Sequence, residues 1–455
     1  MGDRIKRLLS NSAILAIGNL GTKLISFVMV PFYTYVLSTS QFGVVDLISN
    51  SVAMLTPIVS LSIFDAIFRF TMDDQYDKGE LFTTGMVITL LGSFVAIVLG
   101  LLAQIVFGFN YGFVLSMLLV FSALTSLFLN FIRGIGQIKA YALLGLFFAA
   151  LNAIFNVIFL WKLHLGVMGY LYASVVSSLI VLALFFVITN IHLYFNVSYL
   201  SFNTAKLMLS YSVPLIPNAF AWWFTTDASR FFILAFIGAQ ANGLYAVANK
   251  IPSILTICFA VFSQAWQISA VENFYSEDSS DYYSLVFNKL ASFLFIGVTV
   301  LTVFSPFIMK YLVSAEFYDA WKLTPFLLLA MLFSNLSGFL GTTYIAAKKT
   351  RLVMLTTVVG MLLNGLFNVI FIPLIGVNGA GAGSSLGFLV VVLIRLRTTR
   401  DFVNIRAKYR SLFISTILFV VLFFGMQYSD WSAVITFISS IAILIINVRV
   451  LISKK

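Results

Sequence analysis

Three basic side chains, Lys23, Arg230 and Lys250, lie inside long apolar runs, and so do the acids Asp46, Asp65 and Asp227. A charge at mid-bilayer costs about 2.5–3.5 kcal/mol on insertion scales, so each such residue is by default a functional candidate. The chemistry open to them is electrostatic. An ammonium group binds a diphosphate as a point charge and a guanidinium binds it as a planar fork. Lys23 sits mid-run, where its amine reaches the interface with difficulty. Asp227 and Arg230 stand three residues apart, the spacing of a helical ion pair, so mutual neutralisation competes with a ligand-facing role. Asp65 and Arg69 fall near a helix end, as does Asp46, where an interfacial position accounts for them equally well.

Polar residues accompany these charges in stripes. At 100° per residue, Ser12, Asn19, Lys23 and Ser26 share one face of the first apolar helix. Asp46, Ser49, Asn50 and Ser60 share a face of the second, and Asn249, Lys250, Ser253, Gln264 and Gln267 a face of the eighth. Such stripes are expected along the walls of a wet cavity. Asp46, Asn50, Asp227, Asn249 and Gln264 are therefore candidates for cavity polarity and for coupling to H+ or Na+. A resident cofactor or metal is not expected: Cys258 stands alone, and His164 and His192 lack ligand-like spacing.

The elements that must carry these residues are membrane helices. The chain of 455 residues is 61% hydrophobic and 9% charged, with a mean hydropathy of +1.04. Soluble domains carry roughly 25% charged residues. Apolar runs of about 20 residues without alternation point to helices and not to a β-barrel. Fourteen spans are expected, near 10–37, 42–65, 81–107, 112–131, 141–161, 167–190, 206–225, 243–269, 286–309, 323–346, 352–373, 376–394, 411–427 and 432–450. The seventh has room to continue towards residue 237. The first is too long for a signal-peptide core and is kept as a span. Pro57, Pro214, Pro217 and Pro252 each remove a helical hydrogen bond and predict kinks in the second, seventh and eighth spans. No loop is long enough to form a soluble domain.

The net charge of +11 is a topology signal. Of the 27 Lys and Arg, 21 fall at span ends and loops on one side, three on the other and three inside spans. The positive-inside rule then places both termini in the cytoplasm. Attraction to anionic lipid follows from the same distribution, and nucleic acid is not needed to explain it.

The chain also repeats itself. LNAIFNVIF at 151–159 returns as LNGLFNVIF at 363–371, each followed by a Gly-Val-x-Gly turn at 166–169 and 376–379. Gln41-Phe42-Gly43-Val44-Val45 aligns with Ala241-Asn242-Gly243-Leu244-Tyr245. Spans 1–6 therefore correspond to spans 7–12. An even number of spans per copy gives parallel repeats, the plan of rocking transporters, with the site expected at the repeat interface. The domains are read as a six-helix bundle at 1–195, a second at 196–400 and an extra helix pair at 401–455. In each phrase two asparagines lie at i and i+4: Asn152 with Asn156, and Asn364 with Asn368. Interhelical bonding explains them, at about 0.6 kcal/mol per bond, and a cavity-facing role is the alternative.

The combination resembles the MOP flippase superfamily, in particular its polysaccharide-transporter branch of O-antigen and capsule repeat-unit flippases. The resemblance is carried by residues 11–47, YSVPLIPNAF at 211–220, DASRFFIL at 227–234, NGLYAVANKIPSIL at 242–255 and FSQAWQISAVENFY at 262–275, in that order, with the tandem FNVIF blocks. It implies two six-helix bundles around a cavity in a bacterial cytoplasmic membrane. It also implies a substrate, an oligosaccharide on undecaprenyl diphosphate turned from the inner to the outer leaflet, with polysaccharide polymerase machinery as a partner. By that resemblance Lys23, Arg230 and Lys250 are the residues assigned to the diphosphate. Fourteen spans instead of twelve match the lipid II flippases, which leaves peptidoglycan or teichoic-acid precursors open as substrates. A drug/cation antiporter would favour acids in its cavity. A membrane polysaccharide polymerase, the enzymatic alternative, needs a large outer loop with catalytic Arg or His, and the chain has none.

Overall fold

The computed structural model describes the backbone of residues 2–73, 75–347, 349–428 and 432–453, and the side chains in that range except those of residues 2–17, 19, 264, 268, 350 and 428. Among the described residues all regular structure is helical. Contacts divide the chain into two compact units, Met1–Phe220 and Ala221–Lys455.

The first unit contains α1 (Gly2–Val36), α2 (Thr39–Val59), α3 (Ile63–Thr71), α4 (Lys78–Phe107), α5 (Gly112–Gly134), α6 (Ile138–Asn156), α7 (Gly166–Thr189) and α8 (Phe202–Ser212). Ser38 starts α2 with a capping box, its hydroxyl accepting from the Gln41 amide while Gln41 reaches back to the Ser38 amide. α2 ends two residues after Pro57. There Leu61 and Ser62 take φ values of 51° and 50°, a left-handed corner from which α3 departs. The core joins α3, α4, α5 and α7 through Ile67, Phe82, Phe128, Phe131 and Phe185. The ring of Phe82 lies 4.7 Å from that of Phe131.

α9 (Ile216–Asp227) bridges the boundary at Phe220. The second unit continues with α10 (Ser229–Phe236), α11 (Ala239–Ala248), α12 (Lys250–Glu272), α13 (Ser279–Leu312), α14 (Thr324–Ala346), α15 (Thr350–Ile375), α16 (Asn378–Thr398), α17 (Tyr409–Tyr428) and α18 (Ser432–Ile452). α14 is its buried centre, packed on α12, α13 and α16. Trp266 of α12 stacks on Phe339 of α14 at 4.5 Å and donates its indole N–H to the Thr342 hydroxyl at 2.7 Å. α17 and α18 pack on each other, and α18 lies against α13.

Twelve helices among the described residues are long and apolar enough to cross a membrane. Two expected spans fall outside that set. α1 runs for 35 residues, of which Leu20–Val36 forms a shorter apolar helix within the described side chains. The seventh expected span, 206–225, is not one helix. α8 ends at Ser212, a 3-10 turn covers Val213–Leu215, and α9 and α10 carry the chain on to Phe236. Pro214 and Pro217 have no amide hydrogen to donate there, so the ladder breaks where they stand. The eighth is likewise divided, at Asn249, three residues before Pro252.

The duplication is visible at atomic detail. A Cβ on Gly169 would stand 3.1 Å from the Phe159 carbonyl oxygen, and one on Gly379 would stand 2.2 Å from the Phe371 carbonyl oxygen. Both glycines let a returning helix touch the backbone of the one before it. A second correspondence lies at the first turns of α4 and α13. In the first unit the Thr83 hydroxyl donates to the Tyr194 carbonyl and accepts from the Asn196 amide, both at 3.1 Å. In the second unit Ser280, Ser284 and Asn288 accept from the amides of Asn404, Arg406 and Lys408 at 3.1, 2.8 and 2.8 Å. In each unit, then, the start of its third expected span holds the segment that leaves its sixth.

Candidate functional site

The two asparagine pairs are built alike. In the first unit Asn152 donates its amide to the Ser174 hydroxyl at 3.0 Å, and Asn156 donates to the Asn152 carbonyl and Oδ1 at 2.8 and 2.9 Å. In the second, Asn364 donates to Ser384 at 3.0 Å, and Asn368 donates to the Asn364 carbonyl and Oδ1 at 2.8 and 2.7 Å. Each pair thus ties one helix to the next, α6 to α7 and α15 to α16. Asn156, Asn364 and Asn368 are buried. Oδ1 of Asn156 and Oδ1 of Asn368 both lack a hydrogen-bond donor, the same unfilled acceptor in each copy. In each copy the first asparagine bonds the next helix and the second bonds the first.

In the second unit the asparagine bond continues towards the charges. The Ser384 hydroxyl lies 3.4 Å from the hydroxyl of Ser229, the first residue of α10. The next residue, Arg230, bonds Oδ1 of Asp227 at 2.5 Å, with side chains 12% and 30% exposed. Burial of this degree makes the pair a single, largely neutral group, so an anion reaching Arg230 competes with Asp227. Thr226 donates a further bond to Asp227. The Arg230 guanidinium stands 5.7 Å from the ring centre of buried Tyr245, whose hydroxyl faces the side chains of Ser229 and Asn249. Asn249 donates to the Tyr245 carbonyl at 2.9 Å, and half-buried Lys250 opens α12 immediately after it. Structure therefore gathers Asp227, Arg230, Tyr245 and Asn249 around one break in the helices, with Lys250 on the adjoining residue.

The first unit holds a sparser counterpart. Asp46 is half-buried in α2, and Asn50 donates to its backbone carbonyl at 2.7 Å. The hydroxyl of half-buried Tyr170 faces Ser49 and lies near Asp46, and its ring meets that of Tyr33 edge-on at 5.3 Å. Lys23 is exposed on α1, beside the equally exposed Ser26. Gln264 lies outside the described side chains. Asp65, in the short α3, is half-buried and lies on the face away from Ile63, Ala66 and Ile67, which carry the core contact.

One charge was misplaced by the sequence reading. Arg395 counts there among the loop cations, yet it is buried inside α16 with 5% of its surface exposed. Its Nε donates to Thr356 at 3.0 Å and its Nη2 to Thr357 at 3.2 Å, both on α15. Its Nη1 donates to the carbonyl and hydroxyl of Ser337 on α14, at 2.7 and 3.1 Å. Among the described residues no carboxylate stands in an ion pair with it. Leu396, apolar, adjacent and itself buried in the structure, is a sequence signal that the helix continues past this arginine. Tyr170, Ser229 and Tyr245 were also passed over, because a tyrosine or serine in an apolar run reads as ordinary packing.

Comparison with known proteins gives the frame for this arrangement. Residues 8–267, more than half the chain, match the family described as polysaccharide biosynthesis protein. No curated protein matches the sequence. Among solved structures, the lipid II flippase MurJ in an inward closed conformation aligns with a TM-score of 0.64 at 12% identity, covering 97% of this chain and 98% of that one. An inward-facing multidrug resistance transporter of the MATE family aligns with a TM-score of 0.67 at 14% identity, over 85% and 94% of the two chains. A MOP superfamily transporter from Pyrococcus furiosus aligns with a TM-score of 0.58 at 14% identity, over 87% and 95%. The sequence match covers more than half the chain and the fold is shared with these transporters: this chain belongs to the polysaccharide biosynthesis protein family, with twelve helices long and apolar enough to cross a membrane among its described residues.

Proposed function

We propose that the protein turns an oligosaccharide linked to undecaprenyl diphosphate from the cytoplasmic to the outer leaflet of a bacterial cytoplasmic membrane, for capsule, O-antigen or exopolysaccharide synthesis. The family match over residues 8–267 carries this reading, because that stretch includes Lys23, Arg230 and Lys250. In the proposed role the two lysines attract the diphosphate as point charges, and Arg230 exchanges Asp227 for a phosphate oxygen. Asp46, Asn50, Asp227, Asn249 and Gln264 supply polarity and a place for H+ or Na+ coupling. The chain crosses fourteen times, with α1 and the broken α8–α10 segment as the two crossings beyond the twelve segments that are long and apolar enough by themselves. Both termini face the cytoplasm, and a polysaccharide polymerase takes the product.

A second reading, a peptidoglycan precursor as cargo, is favoured by one observation. The lipid II flippase structure covers 97% of this chain, more than the 85% covered by the MATE transporter.

The test is reconstitution into vesicles with one defined lipid-linked sugar at a time, scoring change of leaflet. Wild-type protein is expected to move an undecaprenyl-diphosphate oligosaccharide, and Lys23→Ala and Lys250→Ala each to lower the rate at least tenfold without loss of folded protein. Full transport by the double variant ends the diphosphate assignment. Faster movement of lipid II than of any other oligosaccharide decides for the second reading.

A further inference from the structure

A cavity of about 860 Å³ lies within the second unit, where the start of α13, the segment 404–408 and the last turn of α18 meet. Its walls combine charge with apolar surface. Lys289, Arg406 and Lys408 face Asp278 and Asp281, while Leu285 and Val450 supply the apolar part. Arg406 is taken up by Asp281 at 3.2 Å, and with both side chains about 70% exposed that pair is weakly held. Lys408 donates to the Ser453 hydroxyl at 3.3 Å. Lys289 is half-buried and makes no hydrogen bond or ion pair among the described residues. A partly desolvated ammonium with nothing to bond is a site waiting for an anion.

The comparable place in the first unit sharpens the contrast. A smaller cavity of about 500 Å³ lies there beside the start of α4, with Lys78 as its one cation against Asp77. The two cavities share a location in the repeat, and only the second has gathered three cations.

Position decides what kind of anion fits. α13 and α18 are both long and apolar enough to cross a membrane, and the cavity opens at their charged ends. That is the depth of lipid phosphates, with Leu285 and Val450 placed for the first carbons of a chain. We propose that this cavity binds the phosphate of an anionic membrane lipid, held by Lys289 and Lys408. The proposal concerns a site separate from Lys23, Arg230 and Lys250 and stands whether or not the chain carries undecaprenyl-linked sugars.

Native mass spectrometry of the purified full chain, titrated with phosphatidylglycerol or phosphatidylcholine, tests it. The wild type is expected to retain phosphatidylglycerol at least fivefold more tightly. Lys289→Gln and Lys408→Gln each lose about fivefold, the ratio that corresponds to about 1 kcal/mol per basic residue near an anionic surface. Lys289→Arg retains binding, and Lys78→Gln has no effect, which separates loss of charge from loss of fold. Displacement by undecaprenyl phosphate but not by millimolar inorganic phosphate identifies the carrier lipid as the occupant and supports the site. Displacement by inorganic phosphate as readily as by lipid overturns the lipid assignment. Equal retention of the two phospholipids by the wild type, or unchanged retention by the Lys289→Gln/Lys408→Gln double variant, overturns the site itself.

Discussion

At the scale of single residues, Arg395 makes the most discriminating case. It is a buried cation bonded only to hydroxyls and a carbonyl on two other helices. Thr356 and Thr357 also bond back to carbonyls of their own helix at 2.9 and 2.8 Å, so they are not orphaned when the guanidinium goes. Arg395→Lys keeps the charge but offers donors from one point, which cannot reach α14 and α15 together. The lysine variant is therefore expected to be less stable than Arg395→Met by about 1–3 kcal/mol, the cost of a buried donor left unmade. Thermal unfolding in detergent measures the order, and a methionine variant less stable than the lysine one refutes it. Sequence reasoning found Lys23 and Lys250 because each interrupts an apolar run, and missed Arg395 because Arg397 and Arg400 follow it and make it look like part of a loop. The ion pair of Asp227 and Arg230 was legible from their spacing. Their neighbour Tyr245 was not, since only folding brings its hydroxyl to Ser229 and Asn249.

At the scale of helices, small residues decide how closely the repeated elements approach. Gly379 and Gly169 occupy matching places, yet a Cβ on the former would fall 2.2 Å from a carbonyl oxygen and on the latter 3.1 Å. Gly379→Ala must push α16 away from α15, which overpacking costs at about 1–3 kcal/mol or more. Gly169→Ala needs a shift of only a few tenths of an ångström. The first variant is expected to lose folded, monodisperse protein on size-exclusion chromatography while the second stays near wild type. Equal behaviour of the two variants counts against the close approach. Repeated letters announced this duplication, but not its asymmetries. After Asn156 the first copy passes into a π-helical turn at Val157–Lys162, whereas the second stays α-helical to Ile375 with Pro373 inside it. Length and hydropathy found the helices long and apolar enough to cross, and in 206–225, where they alone read one helix, Pro214 and Pro217 marked the interruption because they break hydrogen bonding without lowering apolarity.

At the scale of the whole molecule, the charge bias makes a topological prediction. With fourteen crossings, Ser276 lies on the cytoplasmic side and Glu316 on the outer side. In a Cys258→Ala background, which removes the chain's one cysteine, Ser276→Cys is expected to react with an impermeant maleimide only after permeabilisation. Glu316→Cys reacts in intact cells. Labelling of both from outside rejects the fourteen-crossing assignment. The final helix pair has its own consequence. The segment 404–408 has no regular secondary structure, yet α13 serves it as a surrogate sheet edge: every second amide, at 404, 406 and 408, is capped by a side chain of Ser280, Ser284 or Asn288. The amides between them, of Ile405 and Ala407, donate to the carbonyls of Val403 and Ile405 at 3.1 Å, so deuterium uptake is expected to be slow throughout 404–408, and fast exchange at 404, 406 and 408 counts against the capping. A tether sewn down at alternate stitches turns any tilt of α13 into an equal tilt of the pair that hangs from it.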